Sequence, residues 1–409
     1  MIRILKLIAA NLCVTLFLLI GVELGMGSWF SRAPNENTDC FHTRYHHDYC
    51  PSAVHRRFMA GADGGQVVLT YVNKSGIAVA DESQMDASID VSQHDVIFIG
   101  DSFFQAEEVP YKQRIGQVFS ELTGKNVLQI GYSSWSPLIM KHWLEDNPPV
   151  AGTQIHLFAM ANDYLPISWS DIRYSSMLKK NETGTMSFVN SRNRREQLTP
   201  LSFIDSVTRK SFFLSRLKQV RKTYSRFRRK TDLVTPVFTS KEFSTFDQSC
   251  EGVSELTPYS KTAGGNIARN AYYYAQLARP YKCWSDDLKE SAIFGLETLI
   301  SLEAMAAQRG WDLRFYLIPA GWAFKDENLI GKSTNSYALA NDVSFTQAGL
   351  VQFLKKGLQE EGVSISELFD LEKVIRKSKK PGEQWYFPVD GHWTEFAQSE
   401  LGSLLSEYP

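Results

Sequence analysis

The sequence predicts an α/β protein built on a parallel sheet and preceded by one membrane-spanning helix. From Asp95 onward, short apolar runs typical of buried strands alternate with helical patterns, which indicates β-α-β construction. From Leu7 to Phe30 the chain is almost continuously apolar, and about 20 such residues can cross a bilayer. We therefore expect three parts: a cytoplasmic tip and transmembrane anchor at 1–30, a membrane-proximal lead-in at 31–94, and the main domain at 95–409 with an insertion at about 165–285.

The N-terminal apolar segment also suggests an orientation. Arg3 and Lys6 precede it, which favours an N-terminus that stays in the cytoplasm and a main domain on the far side of the membrane. A cleaved signal peptide is the alternative. Its apolar core would run for about 7–15 residues and end at a small-x-small site, whereas this segment is longer and lacks Ala-x-Ala.

Charge and cysteine content restrict the function classes further. The 44 basic and 45 acidic residues leave a net charge of −1, which gives no reason to expect a nucleic-acid partner. Four cysteines lie outside the apolar segment: Cys40, Cys50, Cys250 and Cys283. An even number suits an oxidising compartment, and the simplest pairing joins the neighbours in sequence. Zinc binding is the alternative, because His42, His46 and His47 lie between the first two cysteines, although Cys-x-x-Cys spacing is absent.

The predicted elements follow in order along the chain. Val67–Val72 is a strand, and residues 73–76 read as the turn after it. Within the main domain the apolar runs predict strands at 96–99, 126–131 and 313–319 and a strand followed by a turn at 155–163, and the helical patterns predict helices at 113–123, 138–145, 286–308 and 347–360. Gly310 is expected to end the third of these helices.

Two short motifs suggest nucleophilic catalysis. Gly100-Asp101-Ser102 directly follows the strand at 96–99, and ligands bind at the carboxyl edge of open α/β sheets. A serine hydroxyl needs a neighbouring base, usually a histidine oriented by a carboxylate. Asp390-Gly391-His392, near the C-terminus, can supply both groups. The alternative for the first motif is a β-turn with an Asp or Ser cap.

Two further strand ends carry suitable hydrogen-bond donors. Asn126 to Gly131 and Ile155 to Asp163 are both strands followed by turns. Their ends offer backbone and amide N–H groups of the kind that an oxyanion hole requires.

These blocks, taken in order, resemble the SGNH hydrolase family, also called GDSL esterases and lipases. The matching residues are Ser102 as nucleophile, Gly131 and Asn162 in the middle blocks, and His392 as base. The resemblance covers about 95–165 and 285–405. It implies a three-layer α/β/α fold with a flavodoxin-like parallel sheet, in which the backbone N–H groups of Ser102 and Gly131 and the side-chain amide of Asn162 hold the oxyanion. The sequence from Gly100 to Val109 is also similar to that of membrane-anchored bacterial members of this family.

Two positions depart from the family pattern. Met160 stands where the third block usually has glycine, and Asp390 precedes His392 by two residues rather than three. Residues two apart in an extended segment point the same way, so Asp390 can still reach the imidazole. The Asp-x-His-Trp motif at 390–393 resembles that of SGNH-like polysaccharide O-acetyltransferases. In those proteins the Asp-x-His pair precedes the serine in sequence, whereas here it follows Ser102.

Within the insertion, residues 206–230 form a strongly basic amphipathic pattern with one apolar stripe. A surface helix packed on the core is one interpretation. Contact with anionic phospholipid headgroups or an acidic glycan is the other.

We therefore expect a single-pass protein of the bacterial inner membrane with its catalytic domain in the periplasm. The predicted activity is that of a serine esterase or acyltransferase on O-acyl, especially O-acetyl, groups of a cell-envelope glycan, without a metal or cofactor. Acyl transfer would require a donor, such as a membrane-bound acyltransferase partner. The alternative is a non-catalytic glycan-binding or assembly subunit that retains the fold.

Overall fold

The computed structural model covers much of the lead-in and most of the main domain apart from the predicted insertion. The described residues are 14–15, 18, 21, 39–42, 45–59, 64–165, 178–180, 186–188, 250, 276–319, 321, 346–378, 385–387 and 391–408. Most of the predicted anchor, the basic segment 206–230 and Asp390 lie outside them. Within the described ranges, no helix is both long and apolar enough to cross a bilayer.

In the part of the lead-in that the structure describes, the strands form two small antiparallel sheets. Their strands are β1, Asp39–His42; β2, His46–Tyr49; β3, Val54–Phe58; β4, Val67–Val72; and β5, Ala78–Val79. β1 pairs with β2, and β4 lies between β3 and β5. The sequence predicted β4 and the turn after it. That turn is confirmed, since the Asn73 side chain accepts hydrogen bonds from the backbone N–H groups of Ser75 and Ile77.

The other lead-in strands were not predicted because their sequences lack an apolar run. β1 and β2 are rich in His and Asp, and β3 reads Val-His-Arg-Arg-Phe. Such residues have low strand propensity, so pairing with a neighbour decides their conformation. The Cys40–Cys50 disulfide joins β1 to the end of β2. The structure also joins Cys250 to Cys283, so both pairs of sequence neighbours are linked.

A four-stranded parallel sheet forms the centre of the main domain. The remaining strands are β6, Val96–Gly100; β7, Val127–Gly131; β8, Gln154–Met160; β9, Leu178–Lys180; β10, Met186–Phe188; and β11, Asp312–Ile318. The central sheet has the order β11-β8-β6-β7, whereas β9 and β10 pair with each other in the predicted insertion. The predicted α/β class with a parallel sheet is confirmed.

Helices cover both faces of this sheet. They are α1, Ser102–Gln105; α2, Ile115–Thr123; α3, Pro137–Asp146; α4, Ala161–Tyr164; α5, Asp286–Arg309; α6, Ala348–Glu360; α7, Leu371–Arg376; and α8, Glu395–Glu407. Ile97 and Ile99 of β6 face a core that includes α3, α5 and α6. Val96 and Phe98 face the opposite core, with α2, α7 and α8. Alternate side chains of one strand therefore serve two apolar layers.

Helix ends agree with the sequence signals. α5 ends at Gly310, which has a left-handed backbone (φ 71°), as predicted. The backbone N–H of Trp311 then closes the helix on the carbonyl oxygen of Ala306 at 2.9 Å. Left-handed glycine is the usual residue at this position because it has no Cβ to clash.

The C-terminal helix α8 is fastened to the start of the main domain by one buried side chain. Gln398, 1% exposed, accepts a hydrogen bond from the backbone N–H of Ile115 at 2.9 Å. Its amide nitrogen donates to the carbonyl oxygen of Phe103 at 3.0 Å. α8 therefore holds α2 and the segment after Ser102 together.

Candidate active site

The carboxyl ends of three neighbouring strands meet at one edge of the sheet. In the parallel register, Gly100 of β6 lies opposite Gly131 of β7 and Phe158 of β8. Ser102 follows β6, and Asn162 follows β8 as the second residue of α4. The fold therefore brings Ser102, Gly131 and the backbone of Asn162 to the same edge. The side chain of Asn162 lies outside the part of the chain that the structure describes.

Asp101 organises the turn that carries Ser102. It is fully buried and caps α1, with Oδ1 accepting a hydrogen bond from the backbone N–H of Phe103 at 2.9 Å. Its other oxygen, Oδ2, accepts from the backbone N–H of Met160 at 2.9 Å. Met160, at the position where the SGNH pattern has glycine, has an ordinary extended backbone (φ −69°, ψ 156°). A side chain is thus accommodated there without a left-handed conformation.

Burial raises the pKa of Asp101. Hydrogen bonds from the N–H groups of Phe103 and Met160, a side-chain hydrogen bond with Asp163, and the charge of His392 act in the opposite direction without overcoming it. Asp163 is also buried, at 4% exposure.

Two glycines let α1 lie directly across the strand ends. A Cβ on Gly131 would come within 2.3 Å of the backbone N of Gln105 and the carbonyl carbon of Phe104. A Cβ on Gly100 would come within 2.6 Å of the ring of Phe104. The requirement at Gly131 is the stricter one, because backbone atoms cannot move aside as a side chain can.

His392 projects from a turn held by backbone hydrogen bonds. The N–H of Phe387 donates to the carbonyl oxygen of His392 at 2.8 Å, and the N–H of Gly391 donates to the carbonyl oxygen of Phe387 at 2.9 Å. Gly391 has φ 89°, a value that favours glycine. Next in sequence, Trp393 is buried and packs against the ring of Phe103 at 4.9 Å between centroids.

The serine hydroxyl and the histidine meet at hydrogen-bond distance. Nε2 of His392 lies 2.8 Å from Oγ of Ser102, although the two residues are 290 positions apart. The Phe103 ring also packs at 5.0 Å from the imidazole. Ser102 and His392 are both partly exposed. When Nδ1 carries the imidazole proton, the hydroxyl can donate to Nε2, which is the arrangement that activates a serine.

A carboxylate that the sequence did not single out lies beside the other imidazole nitrogen. Oε1 of Glu108 is 3.5 Å from Nδ1 of His392, and its side chain is only 4% exposed. The same oxygen lies 2.9 Å from Nη2 of Arg57 on β3. The sequence signal that could have pointed to Glu108 is the acidic pair Glu107-Glu108, which follows shortly after Ser102. Their burial, however, depends on contacts with the lead-in that sequence spacing does not show.

Glu107, the neighbour of Glu108, contacts a different histidine but shares Arg57 with Glu108. It lies 2.9 Å from Nε2 of His55, accepts hydrogen bonds from the Tyr49 hydroxyl at 3.0 Å and the Gln105 amide at 2.8 Å, and is 3.6 Å from Arg57. Burial alone would raise the pKa of Glu107. The hydrogen bond and charge of His55, with Arg57 and Tyr49, outweigh it, so the pKa is below its ordinary value.

Of the predicted site residues, the structure brings together Ser102, Gly131 and His392 at one edge, with the backbone of Asn162. Asp390, the predicted orienting carboxylate, lies outside the described residues. Within the described ranges, no group of three or more His, Cys, Asp or Glu residues is arranged to hold a metal ion.

Comparison with known proteins adds no family assignment. No protein-family model matches the sequence, and no curated protein matches it. The functional interpretation therefore depends on the residues at the sheet edge and their geometry.

Proposed function

We propose that the protein is a serine esterase or acyltransferase of the SGNH type that acts on O-acyl groups, especially O-acetyl groups, of a cell-envelope glycan. The observation that carries this proposal is the 2.8 Å distance between Oγ of Ser102 and Nε2 of His392 at the carboxyl edge of the parallel sheet. Ligand sites in open α/β folds lie at this edge.

In the proposed reaction, Ser102 attacks the acyl carbonyl carbon while His392 takes the hydroxyl proton on Nε2. The tetrahedral intermediate collapses, the C–O bond to the alcohol breaks, and His392 returns the proton to the leaving alcohol. The acyl group then remains on Ser102 as an ester. Water releases it as the acid in a hydrolase, whereas a sugar hydroxyl accepts it in a transferase. Asp390 is the proposed orienting carboxylate for His392.

The proposed oxyanion hole consists of the backbone N–H groups of Ser102 and Gly131 with the side-chain amide of Asn162. The alignment of the β6, β7 and β8 ends supports it, since the three residues share one edge. The two hydrogen bonds of Asp101 also support it, because they fix the serine turn relative to Met160, just before α4. Preorganised donors of this kind stabilise charge that develops in the transition state.

We further propose that the N-terminal apolar segment anchors the protein in the bacterial inner membrane with the catalytic domain in the periplasm. The two disulfides support an oxidising compartment. Alkaline carbonate extraction of membranes tests the anchor. Retention in the pellet is expected, and release into the soluble fraction would contradict it.

The chemistry is tested by covalent labelling of the full-length protein with a fluorophosphonate. We expect the wild type to be labelled at Ser102, which peptide mass spectrometry can locate. Ser102→Ala should not react, and His392→Gln should react at least about 100-fold more slowly. If wild type and Ser102→Ala behave alike, the serine is not activated, and a non-catalytic glycan-binding or assembly role is the better interpretation.

The substrate is tested by comparing cells with and without this protein. Mass spectrometry of envelope glycans should show acetyl groups gained on loss of a hydrolase, or lost on loss of a transferase. The transferase outcome would also require an acyl donor, for which a membrane-bound acyltransferase partner is the proposed source. An unchanged acyl pattern would contradict the glycan assignment.

A further inference from the structure

A buried carboxylate lies between a cation of the lead-in and the imidazole of the proposed base. Oε1 of Glu108 is 2.9 Å from Nη2 of Arg57 and 3.5 Å from Nδ1 of His392. The Glu108 side chain is 4% exposed, whereas that of Arg57 is 29% exposed and that of His392 24% exposed. One oxygen atom thus faces two groups that can carry positive charge.

The backbone around Glu108 is held in place from several directions. Ala106 adopts a left-handed conformation (φ 47°) that reverses the chain after α1. The N–H of Val109 donates back to the carbonyl oxygen of Ala106 at 3.1 Å. Buried Arg114 then donates to the carbonyl oxygen of Val109 at 3.1 Å and to the Thr70 hydroxyl of β4 at 2.7 Å. A left-handed alanine costs about 1 kcal/mol or more, so the fold maintains this turn against a local penalty.

The position of Glu108 has a clear electrostatic consequence. A carboxylate buried to this degree stays ionised only with a compensating positive charge, and Arg57 supplies one. An ionised Glu108 beside Nδ1 favours the tautomer with the proton on that nitrogen. This leaves the lone pair of Nε2 free to accept from Ser102, and it stabilises the imidazolium formed after proton transfer.

We propose that Glu108 is a positioning residue for His392, held in place by Arg57, so that β3 of the lead-in is part of the functional unit around Ser102. The catalytic part of this inference rests on the proposed function, whereas the effect of Glu108 on the pKa of His392 does not. The inference adds Glu108 to Asp390 rather than replacing it. Among the described residues, the charged and titratable groups that face His392 include Glu108 at Nδ1, Arg57 beyond Glu108, and Asp101, whose pKa the charge of His392 lowers. Glu107 is the sequence neighbour of Glu108, and the predicted Asp390 precedes His392 by two positions.

The first test is the pKa of His392 itself, measured in the full-length protein without any requirement for activity. The protein is labelled with 13C at the histidine ε1 position, and its eight histidines are followed by NMR from about pH 4 to about pH 9, a range that brackets the ordinary histidine pKa. The signal missing in His392→Gln identifies the residue. An opposite charge at this range shifts a pKa by about one unit or more, so Glu108→Gln should lower the pKa of His392 by that amount.

Glu107→Gln is the matched control. It removes the same charge from the adjacent residue, which is similarly buried at 7% side-chain exposure and contacts His55 instead of His392. We expect it to change the pKa of His392 by less than half as much. Glu108→Asp keeps the charge and should keep most of the wild-type value. Equal effects of the two glutamine variants, or none, would overturn the inference.

The second test is the pH profile of fluorophosphonate labelling. In Glu108→Gln we expect the midpoint to fall in parallel with the pKa of His392, and the plateau rate to fall at least about tenfold. If wild type is not labelled at all, the proposed function fails while the NMR titration still decides the role of Glu108. If wild type and Glu108→Gln are labelled at the same rate and with the same pH midpoint, only the inference about Glu108 fails.

If Glu108→Gln does not fold, the Arg57→Gln variant tests the same arrangement. Arg57→Gln keeps the Glu108 side chain but removes the cation that compensates its buried charge. The pKa of His392 should therefore fall, as in Glu108→Gln, but by less, because the imidazolium can itself compensate the carboxylate. An unchanged or raised pKa of His392 would contradict the role proposed for Arg57.

Discussion

Asp101 and Met160 connect the ends of two adjacent strands through a single hydrogen bond. Oδ2 of Asp101 accepts from the backbone N–H of Met160 at 2.9 Å, while Oδ1 accepts from Phe103 within its own turn. The side chain is fully buried. Asp101 therefore fixes the position of the Ser102 turn on β6 relative to the residue that leads into Asn162.

This contact makes Asp101 important for stability. Asp101→Ala leaves two backbone N–H groups without their acceptor and removes a helix cap, so we expect the free energy of unfolding to fall by about 2–4 kcal/mol. Urea unfolding followed by circular dichroism measures it. Asp90→Ala is the control, because Asp90 makes the same capping contact with Ser92 on the surface. A loss at Asp101 no larger than that at Asp90 would argue against a buried bridging role.

Gly131→Ala tests the close approach of α1 to β7. The new Cβ would lie 2.3 Å from backbone atoms of Phe104 and Gln105, so one segment must move. We expect the free energy of unfolding to fall by about 2–3 kcal/mol and fluorophosphonate labelling of Ser102 to slow. Gly152→Ala is the control, since Gly152 has φ 87° but an added Cβ there would meet no atom within 4 Å. Gly152→Ala should lower the free energy of unfolding by about 1 kcal/mol and leave the labelling of Ser102 unchanged.

The low pKa of Glu107 predicts a specific acid dependence of stability. A carboxyl group whose folded pKa lies below its unfolded value of about 4.3 stabilises the fold at higher pH. That stabilisation is fully present above the unfolded pKa and is lost as the pH falls through the folded pKa. We therefore expect the advantage of wild type over Glu107→Gln in urea midpoint to shrink between about pH 5 and about pH 3. Parallel curves over that window would contradict the assignment.

The Cys40–Cys50 disulfide should stabilise the lead-in. It closes a short loop, with a sequence separation of 10, beside Tyr49, which donates to Glu107. Replacing both cysteines with alanine should lower the free energy of unfolding by about 2–3 kcal/mol. Peptide mapping without reductant should recover this link and the Cys250–Cys283 link. Complete alkylation of these cysteines without prior reduction would show that the pairs do not form.

The central sheet could be predicted from sequence because its signal is local. β6, β7, β8 and β11 are largely apolar runs, and each begins within about one residue of its predicted start. The same holds for Gly310, whose role depends only on the helix before it. The approach of Ser102 to His392 also agrees with the motif order, although the distance between them came from the structure.

Other parts depend on long-range contacts that spacing does not encode. β3 is a strand because β4 pairs with it, and its Arg57 faces Glu108 from a different sheet. Glu108 in turn reaches His392 through the left-handed turn at Ala106. Apart from the pair of acidic residues at 107 and 108, the local sequence does not distinguish Arg57 or Glu108 from an ordinary exposed charge. Asp390 and the side chain of Asn162 stay predictions.

The docking of α8 through Gln398 has a consequence for the timing of synthesis. Since Ser102 and His392 are 290 positions apart, a ribosome adding about 5–20 residues per second delivers the histidine roughly 15–60 s after the serine. Through that interval the emerging chain carries Ser102 without its proposed base. The proposed catalytic pair can therefore form only after residue 392 has been synthesised, and a chain that stops before His392 should not react with a fluorophosphonate.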